Sequence, residues 1–125
     1  MKKNIITSEK FSVSGPYSAA VEAGDIIFIS GQLPIDPATG EIITDIKKAA
    51  RQVLTNIQII LREINLDMSN VVKTTIFLKN MSDFSVVNEI YAGFFSQEPP
   101  ARSTISVSEL PKGVLLEIDA IAIRE

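Results

Sequence analysis

Two spacings of apolar residues alternate along this chain, and the points where one gives way to the other mark its elements. After the turn signal Gly15-Pro16-Tyr17, the runs Ser18 to Ala23 and Ile26 to Ser30 are separated by Gly24-Asp25, the pattern of a β-hairpin. Gly31 is expected to stop the second strand, and Asp36-Pro37-Ala38-Thr39-Gly40 reads as a loop or small turn. From Asp45 the spacing becomes helical: Ile46, Ala50, Val53, Ile57, Ile60, Leu61 and Ile64 line one face, and Lys47, Lys48, Arg51, Arg62 and Glu63 the wet one. Asp45 is the expected N-cap, and Asn65 can take the left-handed conformation that ends such a helix. Val71 to Leu78 is a β-branched run and predicts a strand. Ser82 is expected to cap a second helix through about Phe95, with Phe84, Val87, Tyr91 and Phe94 on one face and Pro99-Pro100 beyond its exit. Ala101 to Val107 and Val114 to Arg124 predict two strands joined through Leu110-Pro111-Lys112-Gly113. The order β-β-α-β-α-β-β suits an α+β domain with two helices on one face of a mixed sheet.

The last strand carries apolar residues on both parities. Val114, Leu116, Ile118 and Ala120 lie on one side, Leu115, Ile121 and Ile123 on the other. A strand apolar on both faces is covered on both, and two helices cover only one, so the second cover is expected to be another copy of the chain. Glu117 and Asp119 interrupt that second side. In a hairpin turning near Pro111, Arg102 would fall across from them.

Composition narrows the chemistry more than the fold. The 125 residues fill one domain of ordinary size, expected to span 1–125. The net charge of −3 argues against a nucleic-acid partner, whose phosphates call for a basic face. With no Cys and no His, thiolate nucleophiles, imidazole triads and Cys- or His-ligated metals all drop out. Proton transfer must then run through a carboxylate, a tyrosine, a lysine or bound water. Met1-Lys2-Lys3 leads into an apolar stretch too short for a signal peptide, and no run approaches the roughly 18 apolar residues of a membrane span. The expected location is the cytoplasm, with no membrane partner.

Each candidate residue has a plain reading beside a chemical one. Arg102 with Glu117 and Asp119 is either a structural salt bridge or a clamp for a substrate carboxylate, with Glu117 left to handle water. Tyr17 either packs on its turn or reaches a cleft. Gly31, in Ser30-Gly31-Gln32, marks a strand end, a bulge or a close backbone approach to a ligand. Asn88, taken alone, is a solvated residue of the second helix. Lys73 reads as an edge-strand lysine before a Schiff-base former, and the pair Glu117 and Asp119 lacks a third ligand at loop spacing for a hard cation.

Taken together, Gly15-Pro16-Tyr17-Ser18, Ile29-Ser30-Gly31-Gln32-Leu33-Pro34, Val87-Asn88-Glu89-Ile90-Tyr91, Pro100-Ala101-Arg102-Ser103 and Leu110-Pro111-Lys112-Gly113 through Glu117-Ile118-Asp119-Ala120-Ile121-Ala122 resemble the RidA family of enamine/imine deaminases. The resemblance runs from about Gly15 to Arg124. It implies a chorismate-mutase-like fold, a homotrimer whose sheets line a central barrel, and a ligand cleft between subunits. It also implies cofactor-free hydrolysis of 2-aminoacrylate and related 2-enamino or 2-imino acids to 2-keto acids and ammonia. On that likeness Arg102 binds the substrate carboxylate, Glu117 positions or activates water, and Tyr17, Ser30, Gly31 and Asn88 line the cleft. Thr104 stands where many members have a cysteine, and Asp119 where the family has a glutamate. A module that binds a small metabolite in the same cleft without turnover is the alternative. Ribonuclease or translation-inhibitor activity, attributed to some relatives, fits the acidic, histidine-free composition poorly.

Overall fold

The strand that is apolar on both sides sits inside the sheet. In the computed structural model, which describes residues 2–125, the elements are β1 (Lys3–Ile6), β2 (Ala20–Ala23), β3 (Ile26–Gln32), α1 (Ile46–Glu63), β4 (Val71–Leu78), α2 (Phe84–Phe94), β5 (Ala101–Ser106) and β6 (Leu116–Ile123). They form one six-stranded sheet in the order β1-β2-β3-β6-β4-β5. Only β4 and β5 run parallel, so the sheet is mixed, as expected.

Two expectations about the strands are corrected. The segment Lys3–Ile6, read from sequence as no element, adds a sixth strand by pairing with β2. The hairpin of the last two strands does not form: β6 enters between β3 and β4, while β5 pairs with β4 from the far side. Composition explains the exchange. The two-sided apolar β6 belongs at the centre, where both faces can be covered. Ala101-Arg102-Ser103-Thr104-Ile105-Ser106 is polar enough for an edge, and the helix between β4 and β5 is the crossover that a parallel pair requires. The same order makes β4 interior, so Lys73 is no edge residue; its Nζ donates to the Thr74 carbonyl at 3.1 Å and to Thr75 Oγ1 at 3.2 Å.

The helices follow their predicted faces. Ala50, Val53, Ile57, Ile60 and Leu61 of α1 are fully buried, Asp45 caps it by accepting from the Lys48 amide at 3.0 Å, and Asn65 beyond its end has φ +62°. Ser82 is not the cap of α2. Met81–Asp83 form a 3-10 turn, and the helix begins at Phe84 with no side-chain cap. Both helices pack on the face carrying Ile29, Thr74, Ile76, Leu116, Ile118 and Ala120, all essentially buried. The opposite face stays open. Ile5, Val21, Phe28 and Ile121 form one row across β1, β2, β3 and β6, with Ile26 beside Ile123 and Ile105 in line with Phe77. Ile5 is 57% exposed and Phe28 47%, an apolar sheet face with no cover among the described residues. Among the described residues no helix is long and apolar enough to cross a membrane.

Candidate active site

The seven candidate residues fall into two groups. The first gathers around Arg102 on β5. In the parallel ladder Arg102 is level with Thr74, whose buried hydroxyl shares a 2.7 Å hydrogen bond with the phenol of Tyr91 on α2. Arg102 therefore points to the helix side of the sheet. Its Nη1 donates to Asn88 Oδ1 at 2.8 Å, and its guanidinium carbon lies 4.9 Å from the Tyr91 ring centre and 5.5 Å from that of Phe84. Thr104, two residues along the same strand, shares that face, and its Oγ1 is buried without a hydrogen-bond partner among the described residues. Arg102 forms no ion pair among the described residues. The contrast with Arg124 is sharp: that guanidinium is spent on Glu22, at 2.7 and 3.2 Å, and on the Ile64 carbonyl at 3.2 Å, clipping the chain end to β2 and α1.

The second group gathers around Glu117 on β6. Glu117 is level with Phe77, an odd number of residues from Thr74, so it stands on the open face, opposite to Arg102. β3 does not stop at Gly31. It continues to Gln32 through a bulge: Ile29 pairs with Ala120 and Gln32 with Ile118, three steps on one strand against two on the other. The bulge brings the Gly31 backbone onto the Glu117 carboxylate so closely that a side chain there would collide, its Cβ falling 2.6 Å from Cδ and 2.9 Å from Cγ of Glu117. A larger residue at position 31 would therefore force the Glu117 side chain out of this position. Ser30 is tied down beside it, its Oγ donating to the Ser18 carbonyl at 2.6 Å and its amide to the Ala19 carbonyl at 2.9 Å. Tyr17, 52% exposed, lines with Gly31 a cavity of about 310 Å³ whose walls include Phe11, Leu33 and Asn56. Burial pushes the Glu117 carboxyl above its ordinary pKa, and the Asp119 charge two residues on pushes it further the same way.

The structure thus brings together Arg102, Asn88 and Thr104 on one side, and Glu117 with Gly31 and its neighbour Ser30 on the other, while Tyr17 shares with Gly31 a cavity that Glu117 does not line. It does not bring Arg102 to Glu117 within one chain. The expected placement across a hairpin fails because β4 lies between their strands, and a salt bridge between them within one subunit fails with it. Asn88 is exposed, yet it is a partner of Arg102 and not merely a solvated residue. Phe84 and Tyr91, read from sequence as core alone, also belong to the Arg102 group. Their spacing with Asn88, at i, i+4 and i+7, places all three on one helix face. That spacing was visible; what it faces depends on the parallel pairing of β5. The described residues hold no cluster of three or more acidic side chains suited to a metal ion.

A family model described as Endoribonuclease L-PSP matches residues 7–124. A RutC family protein of Pyrococcus horikoshii is 50% identical over 126 residues, covering all of both chains. The 2-iminobutanoate/2-iminopropanoate deaminase of Escherichia coli is 42% identical over 127 residues, covering 99% of each. The crystal structure of E. coli TdcF with bound serine superimposes with a TM-score of 0.93 at 39% identity, covering 98% of this chain and 99% of that one. Over nearly its whole length, in sequence and in fold, this chain belongs to the RidA family, matched here under the description Endoribonuclease L-PSP.

Proposed function

We propose that this protein hydrolyses 2-imino and 2-enamino acids, of the class that includes 2-aminoacrylate, to 2-keto acids and ammonia, with no cofactor. The observation that carries the reading is Arg102: a guanidinium fixed by a neutral amide and two aromatic rings, with no carboxylate among the described residues to neutralise it. Such a group is suited to an anionic ligand, and its planar fork matches a carboxylate at two points. The deaminase of E. coli and the serine bound to TdcF support a ligand of amino-acid type.

An imine carbon is already electrophilic, so the enzyme has mainly to hold the substrate and direct water. In the proposed course Arg102 holds the carboxylate and Glu117 accepts a proton from water as its oxygen bonds to C2. The C=N electron pair moves to nitrogen, which takes up a proton. Glu117, having given its proton to that nitrogen, then removes the carbinolamine's hydroxyl proton while the nitrogen takes up a second proton from water, and the C–N bond breaks with its electron pair going to nitrogen, leaving the 2-keto acid and ammonia. A carboxylate whose pKa lies above its ordinary value is the stronger base for the first step. Thr104, with its unpartnered hydroxyl beside Arg102, is available to the bound ligand, as are Asn88, Ser30, Gly31 and Tyr17 at the cleft walls.

Because Arg102 and Glu117 face opposite sides of one sheet, a cleft holding both needs two copies of the chain. The exposed row of Ile5 and Phe28 offers the surface on which copies would meet, and the reading places this assembly as a homotrimer. RNA hydrolysis, the activity in the family's description, has the net charge of −3 and the absence of histidine against it.

The test is ammonia release when the protein is added to a pyridoxal-phosphate-dependent dehydratase acting on serine or threonine. Accelerated release supports the reading. Pyruvate binding without acceleration would instead make the protein a metabolite-binding module. Glu117→Gln should retain pyruvate affinity while kcat falls at least about 100-fold, since an amide accepts no proton. The same variant should be no less stable than the wild type at neutral pH. Burial and Asp119 make Glu117 easier to protonate in the folded chain than in the unfolded one. Between the ordinary carboxylate pKa and the raised one the folded state therefore binds more protons, and stability falls as pH rises through that interval. Thermal melts across that range should show the wild type losing stability that the glutamine variant keeps.

A further inference from the structure

We infer that Phe84 and Tyr91 form an aromatic shelf that positions Arg102, so that these two rings set the affinity of the carboxylate grip without touching substrate. The inference rests on the proposed role of Arg102 and extends it to residues of the apolar helix face. Phe84, Asn88 and Tyr91 follow one another at i, i+4 and i+7, and all three meet the same guanidinium, at 5.5 Å to one ring centre, 2.8 Å to the amide oxygen and 4.9 Å to the other ring centre. Three contacts from one rigid helix leave a long, flexible side chain little freedom, and that freedom is what a ligand would otherwise have to remove on binding.

The chemistry of the three contacts matters as much as their number. A carboxylate in any of these places would hold the guanidinium equally well but would cancel its charge and compete with an incoming anion. Ring faces attract a cation without offering an anion, and an amide oxygen accepts one N–H without a formal charge. Only Nη1 is used by Asn88; Nε and Nη2 donate to nothing among the described residues. The shelf is anchored from below. The Tyr91 phenol meets the buried Thr74 hydroxyl at 2.7 Å, and Thr74 is the residue level with Arg102 on the neighbouring strand, so ring and guanidinium are referred to one point of the sheet. Burial raises the phenol's pKa, against the lowering by the Thr74 hydrogen bond and by the Arg102 charge, so Tyr91 stays neutral at working pH. Tyr91 also packs on Phe95, with ring centres 4.6 Å apart, which braces its ring further. Phe84 is half-buried at the start of α2, where its ring can be exchanged without emptying the core.

The test measures pyruvate affinity by calorimetry and, separately, kcat and KM for deamination. Phe84→Leu keeps the apolar bulk and removes the ring. It should weaken pyruvate binding and raise KM about tenfold while kcat changes less than about twofold. Phe84→Tyr, which restores a ring face, should return both values to near the wild type, and Phe84→Met should repeat the leucine result should the leucine variant fold poorly. The decisive arm places Phe84→Leu in an Arg102→Ala background. A positioning residue acts only through its client, so the second substitution should then cost nothing further, whereas a residue that merely supports the fold would lower affinity by the same factor in both backgrounds. Equal affinities for the wild type and both Phe84→Leu and Phe84→Met, or additive losses with Arg102→Ala, would overturn the inference. If Arg102→Ala itself left pyruvate affinity intact, the role of Arg102 would fall first, and that result is separate from a failure of the shelf alone.

Discussion

Arg102→Lys should lower kcat/KM for a 2-imino acid about 100-fold, nearly as far as Arg102→Ala, although lysine keeps the positive charge. A lysine ammonium is a compact, strongly hydrated point charge and cannot reproduce two parallel N–H bonds to a carboxylate. It would also lose its place. The guanidinium lies over the rings of Tyr91 and Phe84 while Nη1 reaches Asn88, and a shorter head group cannot keep all three contacts. Losing one charge-assisted hydrogen bond, at roughly 1.5–3 kcal/mol, together with the orienting contacts, amounts to about two powers of ten in rate. The fold should survive, because Arg102 makes no ion pair among the described residues and lies on an edge strand. Steady-state kinetics beside a thermal melt checks both halves. A lysine variant within fivefold of the wild type would mean that charge alone suffices and that the two-point grip is absent.

Why the sequence gives the pieces of this site but not their arrangement can be read from particular residues. The helices are legible because their signals are local: Asp45 as N-cap, the apolar stripe from Ile46 to Leu61, and Asn65 at positive φ are each decided within a turn or two of chain. The need for cover on both sides of β6 is legible for the same reason, since alternating parity is a property of eight consecutive residues. Strand order is not local. A hairpin through Pro111 is the cheapest closure of β5 on β6, and it is displaced because the centre of the sheet rewards the more apolar strand. β1 escapes notice because four residues, Lys3-Asn4-Ile5-Ile6, show too short an alternation to read, and its pairing with β2 supplies most of its reason to be a strand. Misplacing one strand moves Arg102 to the wrong face relative to Glu117, so the candidate residues can be listed from sequence while their arrangement in space cannot. Gly31 lies between these cases. Its bulge is signalled by glycine in a strand, but its contact with Glu117 depends on the register between β3 and β6.

Mixing Arg102→Ala subunits with Glu117→Gln subunits should restore activity that neither variant has alone. The expectation follows from the two faces of the sheet. Arg102 is level with Thr74 on the helix side, Glu117 is level with Phe77 on the open side, and the strand between them prevents one chain from closing a cleft around both. On the proposed reading a complete site would take its arginine from one copy and its glutamate from the next. In an assembly formed at random from equal amounts of the two variants, each boundary has about one chance in four of receiving both intact residues. Activity should therefore return to about one quarter of the wild-type value per boundary after co-expression or joint refolding. Sedimentation equilibrium on the wild type should give three times the chain mass at micromolar concentration. Substituting Phe28, 47% exposed on the open face, by aspartate should lower both mass and activity together, because a charge there opposes contact between copies. A monomer with full activity, or mixed variants no more active than either parent, would place the whole site within one chain. The opposed faces of Arg102 and Glu117 leave no route for that short of rebuilding the sheet.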